Sequence, residues 1–298
     1  MKKHVYRIYL TENCNMKCKN CFNANTRHNS EMSLDRLESL CQFLSLNGID
    51  SLKIMGGEPT MHSNFLYAYS IIQKYFRNTY LFTNGTKDLT MLHFRKDDSI
   101  TYNFNFYRLW KKENLLLDRC IDRAFEVQIN ESTKDTQNKI ENLKNLLEYE
   151  EYKDQFNIQL TLDCTLNIFD SEIKEKVINN FNLAIDFLKE IEHDNYSIDH
   201  PTPDCVIDTK FHVPKVCSPS CSGLIDANFN YRFCNQHSDI ISPVFDENGN
   251  FMDFCTIEQM YYNKYIELMK KAENTICKGC EKYNESCNGG CWASKEFH

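Results

Sequence analysis

The feature that most constrains this chain is a set of three cysteines, spaced C-x3-C-x2-C, that directly follows a strand-like segment. The segment HVYRIYL at residues 4–10 alternates weakly and is rich in β-branched and aromatic residues, so it predicts a β-strand. Cys14, Cys18 and Cys21 then fall in one short loop. Three thiolates in one loop can hold three irons of a four-iron cubane, whereas a purely electron-carrying cubane normally has four cysteines. The spacing therefore predicts a cluster with one open iron, with structural zinc as the alternative.

Cysteine usage and composition limit the cellular compartment and the classes of partner that this chain can have. The chain has 298 residues and 15 cysteines, nine of them between residues 205 and 291, which favours metal over disulfides in a reducing compartment. The amino terminus has only a short apolar stretch, interrupted by Arg7, and no apolar run reaches the roughly 18 residues of a membrane span. The net charge of −8 is mixed in sign, without a basic stripe. We expect a cytoplasmic protein with no membrane and no duplex nucleic-acid partner.

Strand, loop and helix alternate along most of the chain with short connections, which predicts an α/β fold with a parallel sheet. A helix is expected after Ser33 and should end at Asn47-Gly48, and Cys41 on its apolar pattern should be a buried thiol. Cys120 and Cys164 are also expected to be packing residues. The sequence leaves open whether 100–106 or 124–129 is the fourth barrel strand. The other expected strands are 51–55, 79–82, 158–166 and 196–200, and the other expected helices are 64–76, 134–151, 172–191 and 257–272.

At Pro201 the alternation stops and a turn cluster begins. Beyond it lie short strand-like pieces around Asp246–Gly249, which is a hairpin signal, and then a cysteine-rich tail. We therefore expect two domains, residues 1–205 and residues 206–298.

Two further motifs stand at the ends of the second and third predicted strands. The segment MGGEPT (55–60) has two glycines, which let a ligand approach the backbone closely, and then the carboxylate of Glu58. A carboxylate beside open backbone is a natural receptor for an ammonium group. The segment FTNG (82–85) ends the next strand. The carboxyl ends of parallel strands are where α/β barrels place their sites, so the three motifs are expected to meet.

In order and separation, CNMKCKNC (14–21), GGEP (56–59) and TNG (83–85) resemble the motifs of the radical S-adenosylmethionine (radical SAM) superfamily. The resemblance covers the first third of the chain. It implies a partial (β/α)6 TIM-like barrel in which Cys14, Cys18 and Cys21 ligate a [4Fe-4S] cluster. SAM would chelate the open iron. The residues expected to contact SAM are Gly56, Gly57 and Glu58 at its amine, and Asn84 near its ribose.

The family resemblance also implies an activity. An electron, supplied by a flavodoxin- or ferredoxin-type reductant, cleaves SAM, and the resulting 5′-deoxyadenosyl radical abstracts a substrate hydrogen. The protein binds and orients the cofactors and the substrate and excludes side reactions, while the cofactors carry the chemistry. One position departs from the pattern: the family usually has an aromatic residue before the third cysteine, whereas this chain has Asn20 there and Phe22 after it. The adenine contact is therefore left open.

A second cysteine field comprises C-x2-C-x6-C-x3-C at residues 277–291 together with Cys217, Cys221, Cys234 and Cys255 upstream, and zinc is the simpler interpretation of it. It is also similar to the SPASM or twitch extension of radical SAM enzymes, which carries auxiliary iron–sulfur clusters. Phe229 replaces that extension's usual glycine, and the interval from Cys280 to Cys287 is one residue longer than is typical. Cys205 has no place in the scheme.

Carried over, this similarity gives one or two auxiliary [4Fe-4S] clusters in a small C-terminal domain. The fourth ligand of the second cluster is open between Cys255, His237, His298 and substrate, and we assign Cys255; alternatively, only one auxiliary cluster exists. The ligands expected for the first auxiliary cluster are Cys217, Cys221, Cys234 and Cys291, and those for the second are Cys277, Cys280 and Cys287.

Three functions compete. The first, which we favour, is oxidation or cross-linking of a peptide in natural-product maturation. The cluster loop begins at residue 14, so we expect a separate protein to recognise the peptide. The second is a dehydrogenase or lyase acting on a sugar, aminocyclitol or nucleoside, and the third is a non-catalytic iron–sulfur or zinc protein. Asp163, Asp199 and His200 fall at strand ends, but no sequence pattern assigns any of them as a catalytic acid or base.

Overall fold

The computed structural model divides the chain into two compact units. One unit comprises Met1–Thr101, Leu109–Ile121 and Pro219–Glu267, and the other comprises Tyr102–Arg108, Asp122–Ser218 and Leu268–His298. The expected domain division after residue 205 remains a prediction. The structure describes residues 5–18, 21, 23, 29–110, 122–147, 156–163, 165–168, 170–199, 223–235, 239–273, 277–283, 285 and 287.

The first unit begins with three parallel strands and the two helices that connect them. In the strands, alternate residues such as Tyr6 and Ile8 are fully buried. The first helix has Ser33 at its N-cap and ends at Asn47, and its buried face includes Cys41, as expected for an apolar thiol. Burial raises the pKa of that thiol. The elements are β1 (Val5–Thr11), α1 (Leu34–Leu46), β2 (Ser51–Gly56), α2 (Phe65–Tyr75) and β3 (Asn78–Thr83), with β1 paired to β2 and β2 paired to β3 in parallel register.

Both candidate segments for the fourth strand form strands. The first is β4 (Ser99–Asn103), which is divided between the two units, and the second is β5 (Asp122–Ile129). In the second unit β5, β6 and β7 are parallel neighbours in that order, and Phe125 and Val127 are among the side chains buried on one face of the strands. The remaining elements of this run are α3 (Thr133–Leu147), β6 (Phe156–Leu162), α4 (Ser171–Glu190) and β7 (Tyr196–Asp199).

After residue 222 the chain returns to the first unit as a hairpin. Its first strand pairs in parallel with β1, and the turn at Asp246–Gly249 closes beneath an antiparallel bridge between Phe245 and Phe251. Tyr6 of β1 donates a hydrogen bond to Glu258, and Tyr231 donates to the same carboxylate over 3.1 Å. The elements are β8 (Leu224–Ile225), β9 (Asn230–Arg232), β10 (Ile240–Pro243) and α5 (Phe254–Glu273).

The expected fold class is confirmed. The fold is α/β with mostly parallel strands, consistent with a partial TIM-like barrel, and the sheet is not closed. Among the residues that the structure describes, no helix combines the length and apolarity required for a bilayer span.

Phe229 occupies a backbone conformation that favours glycine. Its φ is +62°, in the left-handed region. The ring is nevertheless buried, and its centroid lies 5.4 Å from that of Phe245. The guanidinium of Arg36 lies 5.7 Å from the Phe229 centroid and 5.4 Å from the Phe245 centroid. Burial of the aromatic ring therefore offsets the backbone strain.

This offset predicts that alanine and glycine variants will rank in opposite order of stability at Phe229 and at an ordinary buried position. Phe229→Ala and Phe229→Gly both lose the ring, at a cost of about 3–5 kcal/mol, but only glycine relieves the left-handed strain. We expect Phe229→Gly to be the more stable variant by about 1 kcal/mol in denaturant unfolding. Phe233, also buried but without a positive φ, is the control. At that position glycine should be the less stable variant by about 0.5–1 kcal/mol, and the same order at both positions would contradict the interpretation.

Candidate cofactor and metal site

Three loops meet at one edge of the first unit because three parallel strands end there. Thr11 pairs with Gly56 at the end of β1 and β2, and Ile54 pairs with Leu81 between β2 and β3. The cysteine loop follows β1, the GGEP turn follows β2 and the TNG segment follows β3. The expectation that the three motifs share one edge is confirmed by this register.

The cysteine loop presents three partly exposed thiols. They belong to Cys14, Cys18 and Cys21, and the Met16 backbone N–H donates to the Cys14 Sγ over 3.4 Å. Hydrogen bonds to the sulfurs are one of the means by which proteins tune the potential of an iron–sulfur cluster. Within the described ranges, no three His, Cys, Asp or Glu side chains are gathered for metal binding. The three thiols share one loop, but the structure does not gather them as a metal site, so their role as cluster ligands stays a prediction.

The GGEP turn lies directly against the segment before Cys14. The Gly57 N–H donates to the Thr11 carbonyl over 2.9 Å, and the Glu58 N–H donates to the Asn13 carbonyl over 2.7 Å. A Cβ on Gly57 would overlap the carbonyl oxygens of Glu12 and Asn13. These are backbone atoms and cannot rotate away, so the close approach requires glycine.

Glu58 joins the GGEP turn to the TNG segment. Its side chain is 1% exposed, and Oε1 accepts from the Thr60 N–H (3.2 Å), the Thr60 hydroxyl (2.6 Å) and the Thr83 hydroxyl (2.7 Å). Oε2 accepts from the Asn84 N–H over 2.7 Å. Burial raises the pKa of Glu58, and the hydrogen bonds from Asn84, Thr60 and Thr83 oppose that rise. Both carboxylate oxygens therefore already hold two motifs together, and a ligand ammonium group would have to share them.

Asn84 connects the TNG segment to the cysteine loop. Its amide nitrogen donates to the Asn15 Oδ1 over 2.8 Å, and its own Oδ1 accepts from the Thr86 N–H (3.1 Å) and hydroxyl (2.8 Å). Asn15 follows Cys14 directly in the chain. Sequence reasoning missed both Asn15 and Thr86. The signal for Thr86 was its spacing, because Asx side chains commonly bond the backbone two residues on.

Tyr9 is a fully buried residue of β1. Burial raises its pKa well above the ordinary value, Arg232 and Arg7 oppose the rise, and Cys234 and Cys21 add to it. The phenol is therefore within electrostatic range of one cysteine from each field. Sequence reasoning did not single out Tyr9, because a tyrosine in a strand predicts packing first.

The described cysteines of the second field fall into different units. Cys234, in the first unit, is partly exposed after β9, and Cys255 is exposed in the first turn of α5. In the second unit Cys277 and Cys280 form a turn, in which the Cys280 N–H donates to the Cys277 carbonyl over 3.0 Å, and Cys287 is buried. The predicted ligands and alternatives outside the described residues are Cys205, Cys217, Cys221, Cys291, His237 and His298.

Among the strand-end titratable residues of the second unit, Asp163 is placed in a turn. Asp163 is fully buried, and its Oδ1 accepts from the Thr165 N–H over 3.0 Å and from the Thr165 hydroxyl over 2.7 Å. This arrangement is a turn cap. Asp199 is the last residue of β7, and His200 lies outside the described residues, as do Asn20 and Phe22 of the cysteine loop.

Comparison with known proteins gives sequence similarity over a part of the chain. The family model of the radical SAM superfamily matches residues 8–106. A probable GTP 3′,8-cyclase of Thermococcus kodakarensis is 32% identical over 83 residues, which are 27% of this chain and 27% of that protein. An S-adenosylmethionine-dependent nucleotide dehydratase of Selenomonas ruminantium is 33% identical over 67 residues, 21% of this chain and 24% of that protein. The chain thus spans about a quarter of the curated relatives it matches.

Solved structures are similar to this chain in fold over a larger part of its length. SuiB of Streptococcus suis bound to S-adenosylmethionine has a TM-score of 0.56 and 14% identity, and the match covers 78% of this chain and 60% of that one. The enzyme anSMEcpe with bound AdoMet and Cp18Cys peptide has a TM-score of 0.51 and 16% identity, covering 96% of this chain and 88% of that one. At these identities the likeness is one of fold. All three motifs that meet at this edge lie within residues 8–106, the segment that matches the family model of the radical SAM superfamily.

Proposed function

We propose that the chain is a radical SAM enzyme that modifies a peptide by oxidation or cross-linking. The observation that carries the proposal is the junction of three loops. The buried Glu58 carboxylate holds the GGEP turn to the TNG segment, and the Glu58 N–H and the Asn84 amide hold both to the cysteine loop. When bound, the [4Fe-4S] cluster and SAM supply a 5′-deoxyadenosyl radical that abstracts a hydrogen from the substrate. Cys14, Cys18 and Cys21 are the proposed cluster ligands.

In this proposal the remaining residues position the cofactor. Gly56 and Gly57 keep side-chain atoms away from the backbone before Cys14, so that the amine of SAM can lie against the turn. Glu58 and Asn84 fix the shape of the amine and ribose ends of the site through their internal hydrogen bonds. A site held in this way orients its ligand without reorganising.

Two observations support different substrate classes. Solved structures of similar fold contain peptides: SuiB is bound to a precursor peptide, SuiA, and anSMEcpe to an 18Cys peptide. This similarity extends well beyond the radical SAM domain, so we favour a peptide. The relatives by sequence are named for GTP and nucleotide chemistry, which supports the second candidate, a nucleoside or another small molecule. Their similarity covers only about a quarter of the chain.

We propose auxiliary clusters on the second cysteine field, which would accept the second electron of an oxidation. Cys217, Cys221, Cys234 and Cys291 would serve the first cluster, and Cys277, Cys280 and Cys287, with Cys255, the second. A flavodoxin- or ferredoxin-type protein would supply the first electron, and a separate protein would recognise the peptide. Iron analysis distinguishes the arrangements: about four irons per chain indicate no auxiliary cluster, about eight indicate one and about twelve indicate two.

Replacing one ligand of the cysteine loop should remove one cluster and the activity together. After anaerobic reconstitution and reduction, the wild-type chain should convert SAM to 5′-deoxyadenosine and methionine. Cys18→Ala should lose about four irons per chain and at least about 99% of this cleavage, because the proposed loop offers only three protein ligands. Cys41→Ala, which removes a buried thiol from α1, is the matched control and should keep both. Full iron content and cleavage in Cys18→Ala would exclude the proposed ligand set.

Gly57→Ala should lower the affinity for SAM more than it lowers the stability of the fold. The added methyl group would push against the carbonyl oxygens of Glu12 and Asn13, and a loss of about 1.4 kcal/mol already lowers affinity about tenfold. The measurement is the SAM-dependent change in the electron paramagnetic resonance (EPR) spectrum of the reduced cluster. Gly249→Ala is the control, because its φ of +80° makes it strained but its Cβ would meet nothing within 4 Å. Equal effects of the two variants on SAM binding would argue against the proposed turn.

The substrate class can be read from the hydrogen that the 5′-deoxyadenosine acquires. A perdeuterated short peptide encoded beside the gene should transfer deuterium to 5′-deoxyadenosine, whereas deuterated GTP should not. Transfer from GTP alone would replace the peptide assignment by the nucleotide one.

A further inference from the structure

We propose that Asn15 and Thr86 are positioning residues that hold the cysteine loop in register for its cluster. With Asn84 they form a closed cycle of side-chain hydrogen bonds, called here the Asn15–Asn84–Thr86 cycle. The inference rests on the proposed function, because it concerns the proposed cluster at Cys14, Cys18 and Cys21. Neither the radical SAM family match nor the proposed ligand set assigns a role to Asn15 or Thr86.

Each member of the cycle donates one hydrogen bond and accepts one. The Asn84 amide nitrogen donates to the Asn15 Oδ1, the Asn15 amide nitrogen donates to the Thr86 hydroxyl, and the Thr86 hydroxyl donates to the Asn84 Oδ1, each over 2.8 Å. Such cyclic arrangements polarise one another, so the loss of one group weakens the others. The cycle therefore needs an amide at position 15 and a hydroxyl at position 86.

The cycle is anchored on its inner side and reaches the cysteine loop on its outer side. Asn84 is 6% exposed, and its backbone N–H is held by the Glu58 carboxylate over 2.7 Å. Asn15 is exposed, and its side-chain hydrogen bonds to Asn84 and Thr86 span 69 and 71 residues of sequence. Between Thr11 and Asn15 the backbone is also held, because Gly57 and Glu58 donate to the carbonyls of Thr11 and Asn13.

Cys14 thus lies between two fixed points. On one side is the backbone of Asn13, bonded to Glu58, and on the other is the side chain of Asn15, bonded to Asn84 and Thr86. The Met16 N–H, one residue further on, donates to the Cys14 Sγ over 3.4 Å. Releasing Asn15 would free the loop to turn this N–H and the thiol away from the site. The expected consequence is a cluster that is lost faster, in a protein whose fold is unchanged.

The test compares cluster loss in the reconstituted full chain. The protein is challenged anaerobically with the iron chelator bathophenanthroline disulfonate, and loss of the visible absorbance of the cluster is timed. Asn15→Ala and Thr86→Val should each lose the cluster about three- to tenfold faster than wild type, the effect of about one hydrogen bond. Their EPR spectra in the reduced state should also broaden, whereas the thermal unfolding midpoint of the apo-protein, which a merely structural role would lower, should stay within about 2 °C.

Two matched variants accompany these. Thr86→Ser keeps the hydroxyl and should behave as wild type. Thr90→Val removes a hydroxyl that donates to Asp88 over 2.7 Å, in the same arrangement as Thr86 on Asn84 but without a bond to the cysteine loop, so it should also behave as wild type. In Thr86→Val combined with Asn15→Ala, cluster loss should be no faster than in the single variants, because both break one cycle.

The outcomes separate the inference from the proposed function. A wild-type chain that takes up no cluster overturns the proposed function, and with it this inference. A wild-type chain with a cluster, together with variants that lose it at the wild-type rate, overturns the inference alone. Equal effects of Thr86→Val and Thr90→Val would also overturn it, since they would reflect general loop stability. If Thr86→Val fails to fold, Asn15→Ala decides, because position 15 is exposed and lies outside the core.

Discussion

The buried carboxylate of Glu58 is the interaction on which the candidate site depends. A carboxylate that is 1% exposed is costly to bury unless its oxygens are satisfied, and here they accept from backbone and hydroxyl donors of Thr60, Thr83 and Asn84. These donors lie on the loops that follow two neighbouring parallel strands. Satisfying one charge therefore fixes the positions of two loops, and a partly satisfied network would be worse than none.

The third loop is fixed to the other two by backbone contact and by amide side chains. Gly57 and Glu58 donate to the carbonyls that precede Cys14, and Asn84 reaches Asn15 on its other side. The hydrogen bonds that shape the start of the cysteine loop therefore come from the protein itself. This is a preorganised arrangement, in which the scaffold rather than the ligand supports the geometry.

Several sequence predictions could be made with little information because they rest on local chemistry. The strand before the cysteines, the helix ending at Asn47 and the turn at Asp246–Gly249 follow from alternation, helical periodicity and turn residues. The choice between residues 100–106 and 124–129 could not be made, because both alternate as half-buried strands and both form strands. Phe229 in a glycine conformation also could not be anticipated as stable, because the rings that offset its strain come from elsewhere in the chain.

By itself, the sequence determined the chemical inventory: three thiols in one loop, two glycines and a carboxylate at one strand end, and an Asn-Gly at the next. It also determined that these would share an edge, because parallel strands align their carboxyl ends. Only the tertiary structure decided what each side chain does there. Glu58 and Asn84 read as ligand contacts in the sequence, yet their polar atoms are engaged with Thr83, Asn15 and Thr86. Hydrogen bonds across 25 to 71 residues are set by how strands pack, which local patterns do not encode.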